Sequence, residues 1–137
     1  MNQSGHSRIE EDRIMPKPLD AYRELIDEIA AISDDDTQAI RIENDERWPD
    51  SASLAKTNTL IEKLSADEKA VLIEMLRHSR HSGIHDTLAR LNEMIALSGL
   101  RLVSNGSELP VEPFGTELFY DWECRRNGDE WPEPLEQ

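Results

Sequence analysis

The sequence predicts a mainly helical α+β domain, with four or five helices packed around one small β-hairpin. Three observations carry this. Apolar residues recur at helical spacing along most of the chain. The apolar-rich stretch Ser65 to Val103 opens on a capping box, Ser65 with Glu68. Asn105-Gly106 lies between two short runs, LRLV and SELPV, and is the strongest two-residue hairpin signal, because a type I′ turn needs positive φ at both positions.

In chain order, residues 1–15 are polar, charged and without periodicity, and read as a disordered leader. Met15 is a candidate alternative start. Pro16 and Pro18 punctuate the entry to a single domain over residues 16–128. Leu19 or Asp20 opens a first helix with Asp20 as N-cap. Its stripe is Tyr22, Leu25, Ile26 and Ile29, and Ser33 with Asp34–Asp36 ends it. A short irregular helix is placed near 36–45. Asp50 or Ser51 caps the next helix, on which Leu54, Thr57, Ile61 and Leu64 share a face.

Two further helices follow from Ser65. The first carries Ala70, Val71, Leu72, Ile73, Met75 and Leu76, which wrap more than one face and predict burial on more than one side. Ser82-Gly83 is read as a break. The second helix has the stripe Ile84, Leu88, Leu91 and Ile95, widened by Met94 and Leu97, and stops at Gly99 in a left-handed cap. The hairpin occupies residues near 100–111, with Pro110 confined to an edge or a strand end. Thr116 caps a last helix, ELFYDWECRR, and residues 129–137 form an acidic irregular tail.

Composition excludes several function classes. The chain has 137 residues, with 15 basic and 29 acidic side chains and a formal charge of −14. Phosphate backbones and anionic membranes both demand the opposite sign, so neither nucleic acid nor membrane is expected as a partner. The charge would steer the protein towards a basic partner. The single cysteine, Cys124, permits no internal disulfide, which fits a cytoplasmic protein. No signal peptide is visible, and no run approaches the ~20 apolar residues of a membrane helix.

No catalytic signature is present: there is no GxSxG, no HExxH and no phosphate-binding glycine loop. Weaker constellations remain. His78, His81 and His85 are spaced three and four apart, a spacing that places imidazoles on one helical face where they could bind a transition metal. The predicted break at Ser82-Gly83 would scatter them, and the simpler reading is solvated residues at a helix end beside Arg77 and Arg80. Glu74 and Asp86 would complete a metal site if one existed.

Tyr120, Asp121, Trp122, Arg125 and Arg126, with Cys124 among them, gather stacking, acid, thiol and guanidinium groups within seven residues. They could grip a polar ligand or a basic peptide. The simpler reading makes Phe119 and Trp122 core anchors and leaves Asp121, Glu123 and Arg125 in solvent. Cys124 could be a reactive thiol, with Arg125 and Arg126 lowering its pKa. Finally, Glu46-Arg47-Trp48-Pro49-Asp50 echoes Asp129-Glu130-Trp131-Pro132-Glu133, and two acid-flanked Trp-Pro pairs could share a partner-binding surface in which Trp131 takes part.

The runs SGIHDTLARLNEMIALSGLRL and VEPFGTELFYDWECRRNGDEWPE resemble pieces of a family of small bacterial proteins of unknown function. The pattern that carries the likeness is Gly83-Ile84-His85-Asp86, then Glu112-Pro113-x-Gly115-Thr116-Glu117-Leu118, then Gly128-Asp129-Glu130-Trp131-Pro132. The resemblance spans roughly Leu19 to Glu133. It implies a bacterial cytosolic protein with a single compact domain, and it implies no activity and no functional residues.

The leading expectation is therefore a non-enzymatic protein-interaction module, in one form an inhibitor- or immunity-like protein that caps a basic partner. The alternative is a small metal-binding protein or metal-dependent hydrolase built on His78, His81 and His85. No cofactor is implied.

Overall fold

The computed structural model describes residues 17–136. The leader at residues 1–15, the start at Met15, and Pro16 lie outside the described residues. In order, the elements are α1 (Pro18–Ala30), α2 (Thr37–Glu43), α3 (Ala55–Lys63), α4 (Ala66–Leu97), β1 (Val103–Ser104), β2 (Ser107–Glu108) and α5 (Leu118–Arg126). The architecture is mainly helical α+β: these helices with one antiparallel hairpin.

The largest departure from the sequence reading is α4. The expected break at Ser82-Gly83 does not exist, and one helix of 32 residues runs from the Ser65 capping box to Leu97. At 1.5 Å per residue it is about 48 Å long. A lone glycine inside a helix costs only about 1 kcal/mol relative to alanine, which flanking packing overrides. The polar middle of α4 is a seam rather than a gap. Arg77 Nε donates to Asp35 at 2.6 Å, Arg80 Nε donates to the Ser33 carbonyl at 2.8 Å, and His81 lies beside Asp34. The acidic loop after α1 thus pairs with the basic centre of α4.

On either side of that seam α4 packs into a different core. Its N-terminal half gives Ile73 to a small cluster with Ala39 and Ile42, against which Trp48, Ile61, Leu72 and Leu76 lie. Val71 and Met75 are exposed at 56% and 63%, so this half is buried on one side only, not the several expected. Its C-terminal half gives Leu88 and Ile95 to the main core of Tyr22, Ile26, Leu109, Phe114, Leu118 and Trp122. Ile84 and Leu91 pack against that core, whereas Met94 and Leu97 face solvent and do not widen the stripe.

Helix starts differ from expectation in instructive ways. Pro18 sits in the first turn of α1, where its missing N–H is no loss, so the helix begins before Asp20 and Lys17 is its N-cap. Asp20 instead occupies the first turn, where its charge complements the helix dipole. Asp36 caps α2 through its side chain, accepting from Ala39 N–H at 2.8 Å. Neither Asp50 nor Ser51 caps α3. Leu54 is the N-cap, following a turn in which the Ser51 carbonyl accepts from the Leu54 and Ala55 amides. Thr116 does not cap α5. Its place is taken across the fold by Asn92 of α4, whose Oδ1 accepts from Leu118 N–H at 3.1 Å.

Gly99 adopts φ +74 directly after α4, as a left-handed stop requires. The hairpin pairs Val103 with Glu108 and Ser104 with Ser107. Asn105 and Gly106 sit at φ 49 and 78, the two positive values a type I′ turn needs. The ladder continues through Leu109 N–H to the Leu102 carbonyl at 2.8 Å, which turns Leu109 into the main core. Pro110 follows the strand end.

Candidate functional site

The residues singled out on the last helix separate into two faces. Tyr120, Asp121, Cys124 and Arg125 line a groove of about 330 Å³ together with Phe114, Thr116, Asp129, Glu130, Trp131 and Pro132. Trp122 is fully buried, and Arg126 projects to the other side of α5, towards His81 and Asp34. Of the proposed binding set, four residues share the groove and two belong elsewhere.

The groove is built by a docked tail. Asp27 of α1 receives Arg125 Nε at 2.6 Å and Trp131 Nε1 at 3.3 Å, and Arg125 Nη1 donates to the Asp129 carbonyl at 2.7 Å. The Arg125 guanidinium also lies 4.9 Å from the centre of the Trp131 ring. Trp131 stacks on Phe114 at 5.1 Å, which in turn tilts against Tyr22 at 6.2 Å. Residues 129–136 are irregular, yet Leu135 N–H is bound to the Pro113 carbonyl at 2.8 Å.

The floor holds a carboxylate that the sequence reading left in solvent. Asp121 is 4% exposed. Tyr22 donates to its Oδ2 at 2.5 Å and Thr116 donates to its Oδ1. Burial pushes the Asp121 pKa above the usual carboxylate value, and the two hydroxyl bonds offset only part of that rise. The Tyr22 phenol is pushed well up, first by burial and then by its bond to Asp121. Its helical spacing from Trp122 and Arg125 does not separate a solvated acid from one aimed at a buried phenol 99 residues away in sequence.

Cys124 is not activated by its arginines. Arg125 is committed to Asp27 and Arg126 to Asp34. Burial raises the thiol pKa, with a hydrogen bond from Tyr120 opposing it. A thiolate nucleophile needs the opposite environment. The available charge of the groove therefore comes from Asp129 and Glu130, which are exposed on its tail side, beside the half-exposed Tyr120 ring.

The continuous α4 does bring the histidines onto one side of a helix, but they do not form a donor set. Among the described residues no group of three or more His, Cys, Asp and Glu side chains could hold a metal ion. His81 has both ring nitrogens engaged, Nε2 with Glu123 at 3.0 Å and Nδ1 with Arg126. His85 is edge-on to Phe119 at 5.1 Å with Nδ1 3.4 Å from Asp86, and His78 is exposed. The two Trp-Pro pairs also part company. Trp48 packs on the small core, held by Asn58 through both its N–H and its carbonyl at 2.8 and 3.0 Å, and Trp131 packs on the main core.

Among the described residues no helix is long and apolar enough to cross a membrane. A family model described as a family of unknown function, DUF6547, matches residues 15–133. No curated protein matches the chain, and no solved structure does.

Proposed function

The chain belongs to this family of unknown function, and from that premise we propose that it is a non-enzymatic interaction module whose tail groove receives a basic segment of a partner protein. One observation carries the reading. The groove beside α5 presents two exposed carboxylates, Asp129 and Glu130, neither in an ion pair among the described residues, against aromatic walls from Tyr120 and Trp131, and its own arginine is already neutralised by Asp27. A lysine or arginine side chain entering there meets exposed acid and a ring face for cation–π contact. The chain's surplus of 29 acids over 15 bases supplies long-range attraction for the same class of partner. An inhibitor-like role, capping a basic surface that otherwise meets nucleic acid, is the specific form this reading takes.

The test separates the groove from the general field. A short lysine- and arginine-rich peptide is titrated against the intact protein by calorimetry, at low and at moderate salt. The comparison is between Asp129→Asn/Glu130→Gln in the groove and Glu74→Gln/Asp86→Asn on α4, two variants of equal net charge. Groove binding requires a tenfold or greater loss in the first variant, little change in the second, and weakening with salt. Equal losses in both variants would show that only the overall charge is felt, and the groove assignment would be wrong.

A further inference from the structure

We propose that the trough beneath residues 131–135 is a recognition site for an extended segment of a partner protein, with a tryptophan at its first position and a bulky apolar side chain four residues later, and that the chain's own tail is its weak occupant. The inference stands apart from the groove reading. That reading concerns the exposed acids of the tail, and this one the surface the tail covers.

The surface is shaped for an extended chain. Trp131 and Glu133 each precede a proline, which favours extended backbone at both. A segment straightened in advance loses little freedom on docking. Leu135 N–H donates to the Pro113 carbonyl at 2.8 Å. A β-carbon at Gly115 would lie 3.1 Å from the Leu135 side chain, so the glycine leaves room for the segment.

Charge selects the first position. Asp27 accepts from Trp131 Nε1 at 3.3 Å, and the Arg125 guanidinium lies 4.9 Å from the centre of the same ring. A carboxylate set for an N–H and a cation set over a π face together read an indole. Phenylalanine would offer the face without the donor. Phe114 supplies the apolar floor, stacked on the indole at 5.1 Å.

The other end is where the tail fits poorly. Pro18, Leu19, Pro110 and Pro113 wall an open apolar pocket of about 300 Å³, and Pro134 and Leu135 close one side of it. Among the described residues no side chain fills it, and Leu135 stays 58% exposed. A larger apolar side chain at that position buries more surface than leucine does. The tail has a different advantage, since its tether holds it at an effective concentration on the order of millimolar. A partner segment has to outweigh that tether, and the unfilled pocket is what lets it do so.

The experiment uses the full chain and a synthetic peptide of residues 128–136. Trp131→Ala removes the tail's anchor and leaves the trough. Calorimetry with this variant should show binding of the peptide. The same peptide carrying Leu135→Phe should bind about fivefold tighter, and one carrying Trp131→Phe about tenfold weaker. In the natural chain, an excess of the Leu135→Phe peptide should displace the tail and quicken hydrogen exchange at the Leu135 amide. A folded Trp131→Ala chain that binds none of the peptides overturns the proposal, as does indifference to the residue at either position. An unchanged Leu135 amide in the natural chain overturns it even if the variant fails to fold. None of these results bears on binding of the lysine- and arginine-rich peptide through Asp129 and Glu130, so the two readings fail separately.

Discussion

Tyr22 on α1 donates its hydroxyl to Asp121 on α5 across 2.5 Å, and both residues are almost wholly buried. This bond joins the first and last helices at the floor of the groove. A charge-assisted bond of this kind contributes about 1.5–3 kcal/mol, and removing the donor leaves a buried acid with Thr116 alone. Tyr22→Phe should therefore lower the unfolding free energy by about 1.5–3 kcal/mol in urea titration. A loss within error of zero would mean that water replaces the phenol without cost.

Tyr22 also gives an alkaline test. Its pKa is raised above the ordinary 10.0 by burial and by Asp121. The unfolded chain then loses this proton before the folded one does. The stabilisation is complete below pH 10 and is lost as pH rises beyond it. Melting temperature should fall on the alkaline side more steeply for the natural chain than for Tyr22→Phe. Parallel alkaline limbs would remove Tyr22 as the cause.

Gly83 tests the continuity of α4. The residue is exposed within a helix, and a β-carbon added there would meet nothing within 4 Å. Gly83→Ala should stabilise the protein by about 0.5–1 kcal/mol, through helix propensity and reduced freedom of the unfolded chain. If Ser82-Gly83 were instead a turn between two helices, alanine would stabilise nothing there. A melting temperature that drops in this variant decides against the single helix.

The contrast at Gly83 also shows what the chain discloses locally and what it withholds. The hairpin was legible because Asn105 and Gly106 encode their own positive φ. The Ser65 capping box was legible because both partners lie within one turn. Ser82-Gly83 reads locally as a break because the groups that pair with the polar middle of α4, the Ser33 carbonyl and the Asp35 carboxylate, lie more than forty residues earlier. The same holds for the site. Tyr120, Asp121, Arg125 and Trp131 can be picked out by chemistry, yet what gathers Arg125 and Trp131 at one carboxylate is Asp27, on the first helix. No short-range pattern marks Asp27 among so many acids. Nor does spacing reveal that Asp121 is buried, since its partners come from α1 and from the turn before α5.

Asn92 supplies a cap from outside its own helix. Its Oδ1 accepts the Leu118 amide at the start of α5, where Glu117 offers no side-chain bond. Asn92→Ala should cost about 1 kcal/mol, the usual value of a lost N-cap. Hydrogen exchange should quicken at the Leu118 and Phe119 amides while the centre of α4 keeps its protection. Uniformly faster exchange along α4 would instead make Asn92 a packing residue of its own helix.

The acid limb of the stability curve depends on two carboxylates of opposite sign. Burial holds the Asp121 pKa above its ordinary 3.8, so the folded chain keeps this proton at a pH where the unfolded chain has released it. Its contribution is greatest below 3.8, and stability is lost as pH rises from there through the folded value. Glu68 behaves in reverse. The Ser65 amide, and secondarily its hydroxyl, hold the Glu68 pKa below 4.5, so its contribution is present above 4.5 and disappears as pH falls through the folded value. As pH is lowered, proton uptake by Asp121 adds stability, while protonation of Glu68 removes the contribution of its cap. Asp121→Asn cannot take up that proton, so its melting temperature should fall more steeply on acidification than that of the natural chain. Thermal melts of both proteins over the acid range measure the difference directly. If the two curves run together, the response belongs to the 29 acids collectively losing their mutual repulsion, and Asp121 is already well compensated by Tyr22 and Thr116.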